Sequence, residues 1–176
     1  MFFAIVLFGI YLKYSSLIHL IYVLAFPLQM LISCFSPQKR KDAIILYVLN
    51  IIIAIAVFFV SNNNHWTDEM ISIYSSLSEN FTIPKIIDHI FNVNPYAVYK
   101  VVLLSLFQLL ASGAVLGQLF LHIFNIMRFY IFRRKNKEIT NKPIITIFNN
   151  CLMMNVIPLA FLVAYIVILI CEHFSK

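Results

Sequence analysis

The stretch from Leu110 to Phe129, "LASGAVLGQLFLHIFNIMRF", decides how this chain folds. It has the length and the apolar outline of one membrane-crossing helix, which needs roughly 20 residues. Yet it carries Gln118, His122, Asn125 and Arg128, together with the pair Gly113 and Gly117. Hydrocarbon offers no hydrogen bonds, so each polar side chain needs a protein partner or an exit to water. A helix built this way cannot stand alone in lipid. It calls for other helices around it.

Composition agrees. Of 176 residues, 62% are hydrophobic and only 11% charged, with a mean hydropathy of +0.91. Soluble domains are nearer half apolar and a quarter charged, so the chain reads as an integral membrane protein. Its net charge of +6 is segregated. The basic segments 38–42 and 128–142 hold Lys39, Arg40, Lys41, Arg128, Arg133, Arg134, Lys135, Lys137 and Lys142, while most acids lie elsewhere. That is the signature of cytoplasmic loops between spans rather than of a nucleic-acid surface, so no nucleic-acid partner is expected. Cys34, Cys151 and Cys171 form neither a CxxC nor an even set, which argues against a disulfide framework and a thiolate metal site. The first residues lack the basic run that opens a cleaved signal peptide.

Four spans are expected, at about 17–35, 43–60, 97–127 and 147–170, giving an all-α polytopic membrane domain. Lys13, Ser15 and Ser16 interrupt the first apolar stretch. Residues 2–12 are therefore read as an interfacial or re-entrant helix, with a short fifth span as the alternative. With the basic loops cytoplasmic, the segment 61–96 lies outside. There Thr67 can cap a helix that carries Asp68 and Glu69 in its first turn. Met70, Ile73, Tyr74, Leu77 and Phe81 recur at helical spacing, so an amphipathic helix over 68–81 should turn that face to the membrane or to the bundle. Asp68 and Glu69 then form an exposed acidic surface for a partner.

Within the third span, Ser105, Gln108, Ser112, Gln118, His122 and Asn125 fall on one broad side at about 100° per residue. Gly113 and Gly117 lie roughly opposite, in the GxxxG spacing that lets two helix backbones approach, within the chain or between copies in a homo-oligomer. The loop residues Arg128, Arg133, Arg134, Lys135 and Lys137, interleaved with aromatics, fit anionic headgroups as well as simple topological anchoring. No paired carboxylates, nucleophile motif, phosphate loop or metal-ligand spacing is visible, so neither catalysis nor a cofactor is expected.

A count in residues from each basic segment adds a sharper expectation. Gln29 lies ten before Lys39, Asn50 nine after Lys41, Gln118 ten before Arg128, and Asn155 thirteen after Lys142. At about 1.5 Å per residue these four amides, one from each span, share one depth. Pro27 and Pro158 lie beside two of them, each freeing a backbone carbonyl. An interior polar layer that fixes the register of the bundle is expected, against the alternative of four amides bonded locally.

The functional expectation is a non-enzymatic protein acting through contacts with other membrane or envelope proteins. It would be an accessory subunit of a larger complex or an immunity or exclusion protein. A bacterial inner membrane is the expected site, an organellar inner membrane the alternative. The competing class is a small channel or carrier built on the polar stripe of the third span.

Overall fold

The computed structural model describes residues 2–35, 40–61, 68–79, 82, 84–85, 88, 95–134 and 142–174. Five helices account for nearly all of them, and no strand occurs among the described residues: α1 (Phe2–Phe35), α2 (Arg40–Ser61), α3 (Asp68–Glu79), α4 (Pro95–Arg134) and α5 (Lys142–Phe174). Four of these, all but α3, are long and apolar enough to cross a membrane. The protein is an integral membrane protein.

Each long helix extends beyond the stretch expected from hydropathy. Lipid solvation governs which residues cross, but the backbone hydrogen-bond ladder continues through any residue with helical preference. Pro143 sits in the first turn of α5, where its missing N–H costs nothing, and Asn149 and Asn150 are exposed within that helix.

The α4 helix is the centre of the bundle and touches all four other helices. Sixty-one per cent of its most apolar window is buried, against 11% for α5, whose outward side faces the surroundings. Side-chain pairing sets the directions. His19 meets Gln108 and Gln29 meets Gln118, a step of ten residues on both helices, so the second arm of α1 runs parallel to α4. Gln118 meets Asn155 while Lys100 meets Glu172, so α5 is antiparallel to α4. Ser33 approaches Tyr47 and Asn50 reaches Gln118, which makes α2 antiparallel to α1.

The α1 helix is bent at Tyr14, whose φ of −123° and ψ of 20° lie outside the helical region. Before the bend, Tyr11 reaches Gln108, and Leu7 and Ile10 line a groove with Leu109, Leu110, Gly113 and Ala114. Earlier residues of this arm thus lie at deeper levels of α4. The arm dips back beside α4 instead of lying flat over the bundle, and Tyr74 donates to Ser15 at 3.0 Å to tie the bend to α3. Phe8 and Leu12 join Met70, Ile73, Leu77, Val98, Val101 and Phe107 in a single apolar core at the α3 end. The amphipathic face of α3 is buried against protein, with Tyr74 half-buried. Phe81 lies outside the described residues. On the opposite faces, Val23, Phe58, Phe120 and Val163 are exposed and apolar, the surface that a bilayer solvates.

Candidate functional site: an amide ring and a buried polar spine

The four amides meet. Gln118 Nε2 donates to Asn155 Oδ1 at 2.6 Å, Asn155 Nδ2 donates to Asn50 Oδ1 at 2.9 Å, and Asn50 Nδ2 donates to Gln118 Oε1 at 3.0 Å. These three bonds close a ring in which every amide donates to the next and accepts from the one before. Gln29 joins from α1, its Nε2 donating at 3.0 Å to the same Gln118 Oε1. All four residues are 3% exposed or less. A primary amide has a donor end and an acceptor end, so three from three helices can satisfy one another without water. In a low-dielectric interior such bonds polarise and reinforce each other.

The ring is one level of a longer spine on α4. Ser105, Gln108, Ser112, Gln118, His122 and Asn125 are all buried. Towards the α3 end, Gln108 Oε1 accepts from the Tyr11 hydroxyl and from His19 Nε2 at 2.7 Å. Ser112 Oγ donates to its own helix at the Gln108 carbonyl, 2.9 Å away, and lies 3.4 Å from the Ile18 carbonyl. At the basic end, Ser33 Oγ lies 2.8 Å from both the Met30 carbonyl and the Tyr47 hydroxyl, and Tyr47 is 3.1 Å from Cys34 Sγ. Four buried polar atoms have no partner among the described residues: Ser105 Oγ, Tyr22 Oη, Gln29 Oε1 and His122 Nδ1.

The glycine pair divides. A β-carbon on Gly117 would come within 2.9 Å of Met154 Sδ, so this glycine receives a side chain of α5. Gly113 has nothing within 4 Å of that position and lines an open groove. Within the chain, the spacing therefore does not act as a two-point backbone contact; a methionine fills the space that a second backbone would take.

Asp68 and Glu69 are exposed in the first turn of α3, where their charge favours the helix N-terminus. Arg128 is exposed on α4. Arg133 and Arg134 end that helix, whereas Lys135 and Lys137 lie outside the described residues. The three cysteines are free. No cluster of three His, Cys, Asp or Glu side chains occurs among the described residues.

One ionic feature was not singled out from the sequence. Lys100 Nζ donates to Glu172 Oε2 at 2.7 Å, with side chains 6% and 18% exposed. The signal was there: Lys100 is the lone Lys, Arg, Asp or Glu in 95–127, and Glu172 the lone one in 149–174. Lys100 lies eighteen residues before Gln118, and Glu172 seventeen after Asn155, so the register that joins the amides also joins the charges. Tyr11 and His19 carried no comparable signal, because their meeting depends on the bend at Tyr14.

Comparison with protein-family models, with curated proteins and with solved structures finds no match to this chain.

Proposed function

We propose that this chain is a non-enzymatic multi-pass membrane protein that works through protein–protein contacts, as an accessory subunit of a membrane complex or as an immunity or exclusion protein of a bacterial inner membrane. The observation that carries this reading is the closure of the amide ring. The amides of Gln29, Asn50, Gln118 and Asn155 bond to one another across all four spans, and the exterior around them is apolar. Such an object acts on its surroundings through its outside. Its outer end is built for this, because α3 is packed onto the core and holds Asp68 and Glu69 out to solvent.

The test is purification in mild detergent from the native membrane. A stoichiometric partner is expected with the unaltered chain, and its loss with the double variant Asp68→Lys, Glu69→Lys. A chain that purifies alone in both cases overturns the reading. Sidedness is tested with an impermeant thiol reagent, which should label Asn63→Cys from outside and spare Asn136→Cys.

A second reading, a small channel or carrier, is favoured by the unpartnered atoms of Ser105, Tyr22, Gln29 and His122. Buried polar groups without partners are commonly completed by water or a ligand. Solute or ion flux through reconstituted vesicles, abolished by Gln118→Leu, would favour this reading over the first.

A further inference from the structure

We propose that this chain pairs with a second copy of itself through α5, along an outward stripe headed by Asn149, the two copies related by a two-fold axis along the membrane normal. The partner proposed above meets the end that carries α3, so this contact stands apart from it.

Depth supplies the first argument. Six residues from the ring towards the basic end, the four spans carry Phe35, Ile44, Phe124 and Asn149. At about 1.5 Å per residue all four lie roughly 9 Å from the ring. Phe35, Ile44 and Phe124 are 72%, 53% and 66% exposed, so at this level three sides of the bundle are built for lipid tails. The first basic residues, Lys41 on α2 and Arg128 on α4, come three and four positions further out. Asn149 and its neighbour Asn150 are both exposed and interrupt this apolar belt on α5. The other Asn and Gln side chains of the spans, among the described residues, are buried: Gln29, Asn50, Gln108, Gln118, Asn125 and Asn155. Acyl chains offer an exposed amide no hydrogen bond. This side of α5 therefore calls for a polar partner at that depth.

Symmetry supplies the occupant. An amide carries both a donor and an acceptor, so it pairs with a second amide. Copies of one chain share one orientation in the membrane, and a closed pair then has its two-fold axis along the membrane normal. Each residue near the axis meets its own equivalent at equal depth. The second copy thus brings the amide that the first one needs, at the level where it needs it.

The shape of α5 fits such a pair. Asn149, Met153, Val156, Ala160, Val163 and Val167 are all exposed and follow one another at spacings of four, three, four, three and four. That is the repeat of a left-handed two-helix seam, in which a single polar position fixes register and partner number. Ala160 lies midway, where a small side chain lets the backbones approach. Only 11% of the most apolar window of α5 is buried within the chain, against 28% for α1 and α2 and 61% for α4. A monomer leaves this stripe to lipid, and a second copy replaces lipid along it.

The test uses the full chain in vesicles of phosphatidylethanolamine and phosphatidylglycerol, in a Cys34→Ala, Cys171→Ala background that keeps the buried Cys151. Met153→Cys, Ala160→Cys and Val167→Cys probe the stripe, and Phe58→Cys and Phe120→Cys probe other lipid-facing sides. With a lipid-soluble oxidant, covalent dimer is expected from the three α5 positions and not from the other two. Energy transfer between labelled copies, followed as lipid dilutes the protein, gives the dimer Kd. The double variant Asn149→Leu, Asn150→Leu should raise it roughly tenfold, since two symmetric bonds at about 0.6 kcal/mol each approach one tenfold step. Asn149→Gln, which keeps an amide, should retain most of the pairing. Protection of the Cys151 thiol reads whether the fold is intact in each variant. Absence of dimer from the α5 positions, equal cross-linking at Phe58→Cys and Phe120→Cys, or a leucine variant that pairs as tightly as the unaltered chain overturns the proposal.

Discussion

Asn50 donates to Gln118 at 3.0 Å and receives a bond back from it through Asn155, so the two residues are neighbours twice over in one closed ring. Their helices, α2 and α4, make little other contact, and grooves flank α2 against both α1 and α5. In lipid, apolar side chains gain little by leaving the solvent for one another, and small residues and polar bonds hold helices together instead. The ring therefore ties α2 to α4 and α5 at one height.

The four amides are unequal, and mutation should expose this. Gln118 takes part in three of the bonds and Gln29 in one. At roughly 0.6 kcal/mol per interhelical bond, Gln118→Leu should cost about 2 kcal/mol. Gln29→Leu should cost about 0.6 kcal/mol or less, since it also removes the unpartnered Oε1. Unfolding in mixed detergent, followed by exposure of the Cys151 thiol in a Cys34→Ala, Cys171→Ala background, reads both. Equal losses would show that the ring is not the coupling element.

The Lys100–Glu172 pair should behave as a buried ion pair at the rim. Lys100→Met alone takes the Lys100 ammonium away from Glu172 and should cost roughly 2 kcal/mol, less than the 3–5 typical of full burial, because Glu172 keeps 18% exposure. The double variant Lys100→Met, Glu172→Gln should recover most of the loss, since the desolvation of both charges disappears with them. The same thiol-exposure assay measures this. A double variant as unstable as the single one would contradict the pairing.

Depth was legible in the sequence because a helix has a fixed rise and the basic segments mark where each span starts; counting from them put Gln29, Asn50, Gln118 and Asn155 at one level. Direction was legible too, from the alternation of spans. The way α1 folds back was not. Tyr14 is neither glycine nor proline, and its departure from helical geometry is held by tertiary contacts such as Tyr74 to Ser15. For α3, the apolar face at Met70, Ile73 and Leu77 would serve lipid or protein equally, and its packing against α4 and the N-terminal arm decides for protein. The glycine spacing was the weakest guide, because a flexible Met154 can occupy the space of a second backbone.

The glycines can be told apart by one methyl group each. Gly113→Ala adds a β-carbon into open space and improves helix propensity, so it should be neutral or stabilising by up to about 1 kcal/mol. Gly117→Ala gains the same propensity but requires the end of Met154 to move, since its sulfur would be 2.9 Å away. The net effect should be close to zero, and Gly117→Ile should be clearly destabilising because a larger group cannot be accommodated by that movement. Thermal midpoints in detergent rank the three. If Gly113→Ile were as harmful as Gly117→Ile on a monomeric preparation, the open groove at Gly113 would have to be closed by something else in the fold.

The N-terminal arm should count as core. A helix resting on the bilayer surface would present its apolar side chains to lipid, and truncating one would change little. Phe8, however, is 1% exposed and packs in the cluster that contains Met70, Leu77 and Phe107. Phe8→Ala should open a cavity where α1, α3 and α4 meet, and large-to-small changes of this kind in soluble cores cost about 3–5 kcal/mol. Part of that figure is transfer from water, which is smaller next to a membrane, so about 2 kcal/mol is expected from the cavity and the lost dispersion contacts. At 2–4 °C per kcal/mol for a chain of this size, the thermal midpoint should fall by roughly 4–8 °C. Ile10→Ala, at a side chain 42% exposed on the same arm, should shift it by no more than about a quarter of that. A Phe8→Ala variant as stable as Ile10→Ala would place the arm outside the core and remove the support it gives to α3.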